Sequence, residues 1–215
     1  MVVDNSEIRL VEVKRRNPKD DASNLAEDAL DATREETDLC EIIAGCQQKS
    51  IEHMHLLYCH FCRKIYSLMV RMVGHQDADD LTQQVFLQVF RSIQQFAGRS
   101  RFSTWLHRLA LNEALQHLRR QKSRQQASLV AEPIDNVPGH ERAEESRELL
   151  EQALSQLDPA LRSIFLLREV EGHSYEEIAA VLEIPEGTVG SRLNRARREL
   201  QGHLRESGWE PDNDL

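Results

Sequence analysis

The sequence predicts an all-α protein of two small helical domains joined by a flexible linker, the second of them a helix-turn-helix. Three observations carry this prediction. No segment of the 215 residues alternates apolar and polar side chains for long, as a half-buried strand does. Apolar residues recur instead at spacings of three or four over long windows, the period of an amphipathic helix. Residues 122–143 lose that period and contain Pro133, Pro138 and Gly139, the composition of a flexible connection. The expected organisation is an acidic, disordered extension over 1–37, a first domain over 38–123, a linker over 124–143, a second domain over 144–206 and a tail over 207–215.

The elements follow in order. Leu39, Ile42, Ile43 and Cys46 form one helical stripe, with Gly45 placed to weaken its end. A second helix is expected from Ile51 to Val73, where Leu57, Phe61, Ile65, Leu68 and Met72 share a face, and Gly74 stops it. Asp77 has N-cap chemistry, and Asp79 and Asp80 suit a first helical turn. Leu81, Val85, Phe86, Val89, Phe90 and Ile93 give that third helix its buried side. A loop over 94–101 leads to a helix over 103–121, with Trp105, Leu106, Leu109, Leu115 and Leu118 on its apolar side.

In the second domain, Asp158-Pro159 reads as an N-cap followed by proline at the first helical position. Ser174-Tyr175-Glu176-Glu177 is a capping box, in which Ser174 and Glu177 satisfy each other's free amides. A short helix to Leu182, a turn over 183–185 and a helix to about Leu200 complete a helix-turn-helix. Its second helix is the one such folds place in the major groove.

A net charge of −9 argues at first against nucleic acid, but its distribution reverses that reading. Residues 1–38 hold eleven acids against six bases, a net −5. Between Arg99 and Arg124 seven bases meet one acid, Glu113, a net +6, and from Gly187 to Arg205 five arginines meet Glu199, a net +4. Two basic patches on an acidic chain are the footprint of a DNA binder. The absence of any long apolar run and of an apolar stretch in Met1 to Leu10 excludes a membrane span or secretory signal, so a cytoplasmic protein with reduced cysteines is expected. No cofactor is expected, and no carboxylate pair, nucleophile–base set or phosphate-binding glycine loop suggests an enzyme.

Tyr175-Glu176-Glu177-Ile178-Ala179, followed by Ile184-Pro185-Glu186-Gly187-Thr188-Val189-Gly190-Ser191-Arg192-Leu193-Asn194-Arg195-Ala196-Arg197, resembles region 4 of the extracytoplasmic-function sigma factors. The resemblance implies that this helix reads the −35 promoter element. Ser174, Glu186, Gly187, Thr188, Ser191, Arg192, Arg195 and Arg198 are the expected contacts, arginine being suited to bidentate pairing with guanine and to phosphate neutralisation. Two departures stand out. Glu183 occupies a turn position where the family often has glycine, and a left-handed backbone there costs roughly 1 kcal/mol. Gly190 stands where many members carry a basic residue.

Asp77-Ala78-Asp79-Asp80-Leu81-Thr82-Gln83-Gln84-Val85-Phe86 resembles the segment of sigma region 2 that docks on core RNA polymerase. That resemblance implies the β′ clamp helices, and with region 4 the β flap, as partners, contacted on the first side by Asp77, Asp80, Gln83, Gln84 and Phe86. Phe96 to Leu106 is similar to the loop and helix with which the family melts and reads the −10 element. Arg99, Arg101, Ser103, Thr104, Trp105, Arg108, Asn112, Arg119 and Arg120 are the expected contacts to single-stranded and duplex promoter DNA, although its apolar spacing places Trp105 first in the core, with its indole edge toward the DNA. An anti-sigma factor is the further partner implied.

His55, Cys59 and Cys62 share a helical face at zinc-ligand spacing, and resemble a motif of zinc-binding anti-sigma domains. Burial of the cysteines as small apolar side chains is the expected role, with no metal assigned. The alternative function is a helix-turn-helix regulator with a metal- or redox-sensing Cys/His cluster. A metal-dependent enzyme built on the same cluster is the more distant rival.

Overall fold

The computed structural model describes residues 38–127 and 142–207. The expected acidic extension, most of the linker and almost all of the tail lie outside them. Eight α-helices and one 3-10 turn organise the described residues, and no strand occurs among them. They are α1 (38–47), α2 (Ile51–Val73), α3 (His75–Ser92), the 3-10 turn (Ile93–Gln95), α4 (Phe102–Ala127), α5 (Arg142–Gln156), α6 (Pro159–Glu169), α7 (Tyr175–Leu182) and α8 (Glu186–Glu206).

Each boundary has a local cause. Ser50 caps α2 by accepting from the His53 amide, and the same hydroxyl meets His53 Nδ1 at 2.8 Å. Gly74, at φ 87°, ends α2 by donating its amide to the Val70 carbonyl, and is also the N-cap of α3. A one-residue joint therefore starts α3 at His75, two residues before the expected N-cap. Asp77 lies inside the first turn instead, where its carboxylate meets His117 Nε2 of α4 at 3.1 Å. Helix α4 runs six residues past the expected Gln121, because 122–127 contains neither proline nor glycine to break it. Asp158 caps α6 ahead of Pro159, and the Ser174–Glu177 capping box opens α7 with both reciprocal bonds formed. Helix α8 starts at Glu186 with Pro185 as its N-cap, and continues to Glu206 rather than to about Leu200.

The first domain's core is made by Leu57, Ile65, Leu68 and Met69 of α2, Leu81, Val85 and Val89 of α3, and Leu106 and Leu111 of α4. Phe96, Phe102 and Trp105 close its end, with ring centroids 5.3 to 5.5 Å apart. In the second domain Leu154, Leu157, Ile164, Leu167, Ile178, Val189, Leu193 and Ala196 are buried. The two cores are not isolated. Helices α5 and α6 pack on α2, α6 and α7 pack on α4, and the buried residues of both domains join in one cluster.

Gly45 does not end α1 but lets it approach α2. A Cβ there would stand 2.1 Å from Cγ of the His53 ring. Gly45→Ala, a change that favours an exposed helix, is therefore expected to destabilise the protein by about 1–3 kcal/mol, since the ring must leave Ser50. Urea unfolding checks it; an unchanged or raised midpoint would show that the ring moves freely.

Candidate nucleic-acid interface

Helix α8 presents the −35 candidates on one side and buries Val189, Leu193, Ala196 and Leu200 on the other. Glu186, Gly187, Ser191, Arg192, Arg195 and Arg198 are exposed, and Thr188 is half-buried. The Thr188 hydroxyl donates to the Pro185 carbonyl and the Ser191 hydroxyl to the Thr188 carbonyl, so both retain lone pairs for an outside donor. Arg195 is braced by Glu199 at 2.7 Å, and Arg197 turns back to Glu169 of α6. Arg192 has no ion pair among the described residues, and with Arg195 and Asp158 it lines a shallow cleft beside the start of α6. Ser174 is exposed as well; its hydroxyl accepts from the Glu177 amide, capping α7, and keeps its proton for an outside acceptor.

Both departures in this domain have a structural outcome. Glu183 adopts the left-handed conformation, at φ 53° and ψ 44°, and its carboxylate pairs with Arg108 of α4. At Gly190 an added Cβ would meet only the Tyr175 ring, at 3.5 Å, so a side chain fits there.

The −10 candidates divide along α4 and the loop before it. Arg99, Arg101, Arg108, Asn112, Arg119 and Arg120 are exposed, while Ser103 is half-buried. Thr104 is a correction: it is 4% exposed, and its buried hydroxyl has no partner. Trp105 is half-buried and packs against Phe96 and Phe102. Of the polymerase-docking candidates, Asp80, Gln83 and Gln84 are exposed on α3 and Asp77 is half-buried. Phe86 is a correction. It is 3% exposed and stacks edge-on to Tyr58 at 4.8 Å, because it continues the stripe of Ala78, Leu81, Thr82 and Val85. The exposed apolar residue beside Asp80, Gln83 and Gln84 on this candidate face is Leu87, 54% exposed, which its spacing of three from Gln84 could have revealed.

The Cys/His face also departs from expectation. His55 and Cys59 are exposed and Cys62 is half-buried, so this face of α2 points outward rather than into the core. His55 Nε2 lies 3.6 Å from Cys59 Sγ, and among the described residues no group of three or more His, Cys, Asp or Glu could hold a metal ion.

Three buried groups escaped the sequence reading because they act between the domains. Arg162 of α6 donates to the carbonyls of Met72, Ser155 and Leu157. His107 of α4 and His173, just before α7, meet through Nδ1 and Nε2 at 2.8 Å. Glu171 lies 3.4 Å from His107 Nε2, and Glu177 lies 3.5 Å from His173 Nδ1. Burial, then the charge of His107, lowers the His173 pKa. The Ser174 amide, ahead of the imidazole and Arg101, holds the Glu177 carboxyl below its usual range. Burial pushes Glu171 upward, but His107, His173 and Arg71 outweigh it.

Residues 57–124 match the family described as Sigma-70 region 2, and residues 147–200 match Sigma-70, region 4. The chain is 32% identical over 176 residues to the ECF RNA polymerase sigma-E factor of Haemophilus influenzae, covering 76% of this chain and 93% of that protein. It belongs to the extracytoplasmic-function sigma factors. The RNA polymerase sigma-H factor of Pseudomonas aeruginosa is 35% identical over 78% of this chain and 96% of its own. The fold is also that of the sigma factor RpoE solved in complex with the anti-sigma factor NepR from Bartonella quintana, at a TM-score of 0.63 and 23% identity, covering 72% of this chain and 98% of that one. This sigma factor thus directs RNA polymerase in promoter-dependent initiation, and no helix among its described residues is long and apolar enough to cross a membrane.

Proposed function

We propose that the two domains of this sigma factor divide promoter recognition as their basic surfaces suggest. Arg192, with Ser191, Thr188 and Arg195 on the exposed side of α8, reads the −35 duplex, while Glu186 and Gly187 bring the helix start to the groove. Arg198 neutralises backbone phosphate. Arg99 and Arg101 of the loop, with Arg108, Asn112, Arg119 and Arg120 of α4, hold the −10 strands. Trp105 and Thr104 serve by shaping that helix. Core polymerase docks on Asp80, Gln83 and Gln84 around Leu87, and Asp77 fixes the helix against α4. The protein works as a non-enzymatic cytoplasmic factor, and an anti-sigma partner like that of the solved relative holds it when idle.

The observation that carries this reading is the separation of two exposed arginine sets onto α4 and α8, one in each sigma domain. Transcription reconstituted with core polymerase on a promoter library tests it. Transcripts from a sequence-defined subset should appear only with the full chain present. Failure of the Asp80→Lys, Gln83→Ala double variant to lose core polymerase in co-purification would refute the docking face.

A further inference from the structure

Two of the arginines assigned to the −10 strands, Arg101 and Arg108, face carboxylates in this structure. Glu177 of α7 faces Arg101 at 3.9 Å, and Glu183, in the turn after α7, pairs with Arg108. The carboxylates of one DNA-reading domain thus stand on the cations of the other, where phosphates are proposed to lie. Arg101, just before α4, and Arg108 within it lie on one side by helical spacing.

Between these ion pairs lies the chain Glu171, His107, His173, Glu177. Its four ring nitrogens can be counted for protons. The 2.8 Å contact between His107 Nδ1 and His173 Nε2 requires one proton between them. The two outer nitrogens can each donate to a carboxylate. Three protons satisfy every member, leaving one imidazolium between two carboxylates. Two protons are tolerated as well, since a Glu171 left without a donor still faces Arg71. Four protons are not. Two N–H groups would then point at each other across 2.8 Å, with two positive rings in contact.

We propose that α7 and the turns flanking it are an internal lid over the −10-strand face of α4, latched by the His107–His173 pair and released when a further proton makes both rings cationic. The proposal rests on the −10 role given above to α4. The charged groups around the pair are Arg71 of α2, Arg101 just before α4, Arg168 of α6, which donates to the His173 carbonyl, and Glu171 and Glu177; Arg108, next to His107 in sequence, is paired with Glu183. The sign follows from burial: closure favours the uncharged His173, whereas an open His173 titrates near its ordinary value of about 6.5. Closure is therefore fully supported above that pH and lost as the pH falls through it. The lid also accounts for Glu183. Its left-handed backbone is kept where glycine would be relaxed, because only a side chain can reach Arg108.

The test uses the full chain, small-angle X-ray scattering, and binding of a fluorescein-labelled single-stranded DNA pool at constant ionic strength. Lowering the pH from about 7.5 to about 5.5 should increase the maximum dimension and raise DNA affinity roughly five-fold or more, the factor by which closure hides the site. His173→Gln, which cannot become cationic, should flatten both profiles. Glu183→Gly, which removes the Arg108 pair without backbone strain, should give the open dimension and the higher affinity already at neutral pH. A wild-type scattering profile that does not change with pH, or a Glu183→Gly variant that scatters and binds as wild type, overturns the lid. DNA binding that ignores Arg101→Ala and Arg108→Ala at every pH overturns the −10 assignment instead, whatever the scattering shows.

Discussion

Arg162→Met is expected to lower the melting temperature by roughly 5–10 °C, a loss of about 2–3 kcal/mol in a chain of this size. Arg162 is 6% exposed, and its guanidinium donates to Met72 at the end of α2 and to Ser155 and Leu157 at the end of α5 and just beyond. Methionine fills similar volume, so little cavity cost arises. What is lost is the donor to three carbonyl oxygens at helix ends, where no amide of the same helix serves. Two features limit the effect. Burial lowers the Arg162 pKa, and Nε has no partner, so the charge is already held at a cost that methionine removes. Because Met72 belongs to one domain and Arg162 to the other, the variant should also separate their unfolding. Calorimetry should resolve two transitions where the wild type shows one. A single transition at the wild-type temperature would mean that water replaces the guanidinium at no cost.

The second large effect is expected on recognition. Arg192→Ala should weaken binding to a −35 duplex by about 1–3 kcal/mol, roughly five- to 150-fold, and relax selectivity at one base pair. Arg192 is exposed on the second turn of α8 with no ion pair among the described residues, whereas Arg195 and Arg197 are tied to Glu199 and Glu169. Its fork is therefore available without breaking a contact. Arg198→Ala provides the contrast. Loss of a phosphate contact should weaken all duplexes alike and reduce the salt slope by about one. Anisotropy titrations on a duplex panel at several salt concentrations distinguish the two. Equal weakening on every duplex for Arg192→Ala would assign it to the backbone.

Much of this was legible in the sequence because its causes are local. The Ser174–Glu177 box, the Asp158-Pro159 start of α6, the Gly74 stop and the left-handed Glu183 each depend on residues within one turn, and all stand as their chemistry dictates. Faces were harder than elements. Phe86 and Thr104 lie in segments similar to functional ones, but a helix rotates 100° per residue, so a functional segment includes core positions. Asp77 has cap chemistry, yet the one-residue joint at Gly74 had already begun the helix. The contacts among Arg101, Arg108, His107, His173, Glu177 and Glu183 were illegible for another reason. They join residues 66 to 76 positions apart, and nothing in a single sequence states which charged side chain of one domain another will meet.

The outward turn of the cysteine face gives the protein its own reporters. Cys59 is exposed, and Cys62 beside it helps line a hollow with Tyr58, Tyr66 and Gln83, at the margin of α3, the helix proposed to dock on polymerase. Cys46 is wholly buried, and burial pushes its thiol pKa up. A thiol reagent thus meets two populations without any engineered label, Cys46 within and Cys59 and Cys62 outside, with exposed Cys40 of α1 told apart from the latter by its peptide. The outer one reports whether α2 and α3 are covered by a partner, and the inner one reports whether the domain has come apart. Assembly and unfolding can be followed in the same sample, by the mass of the same chain.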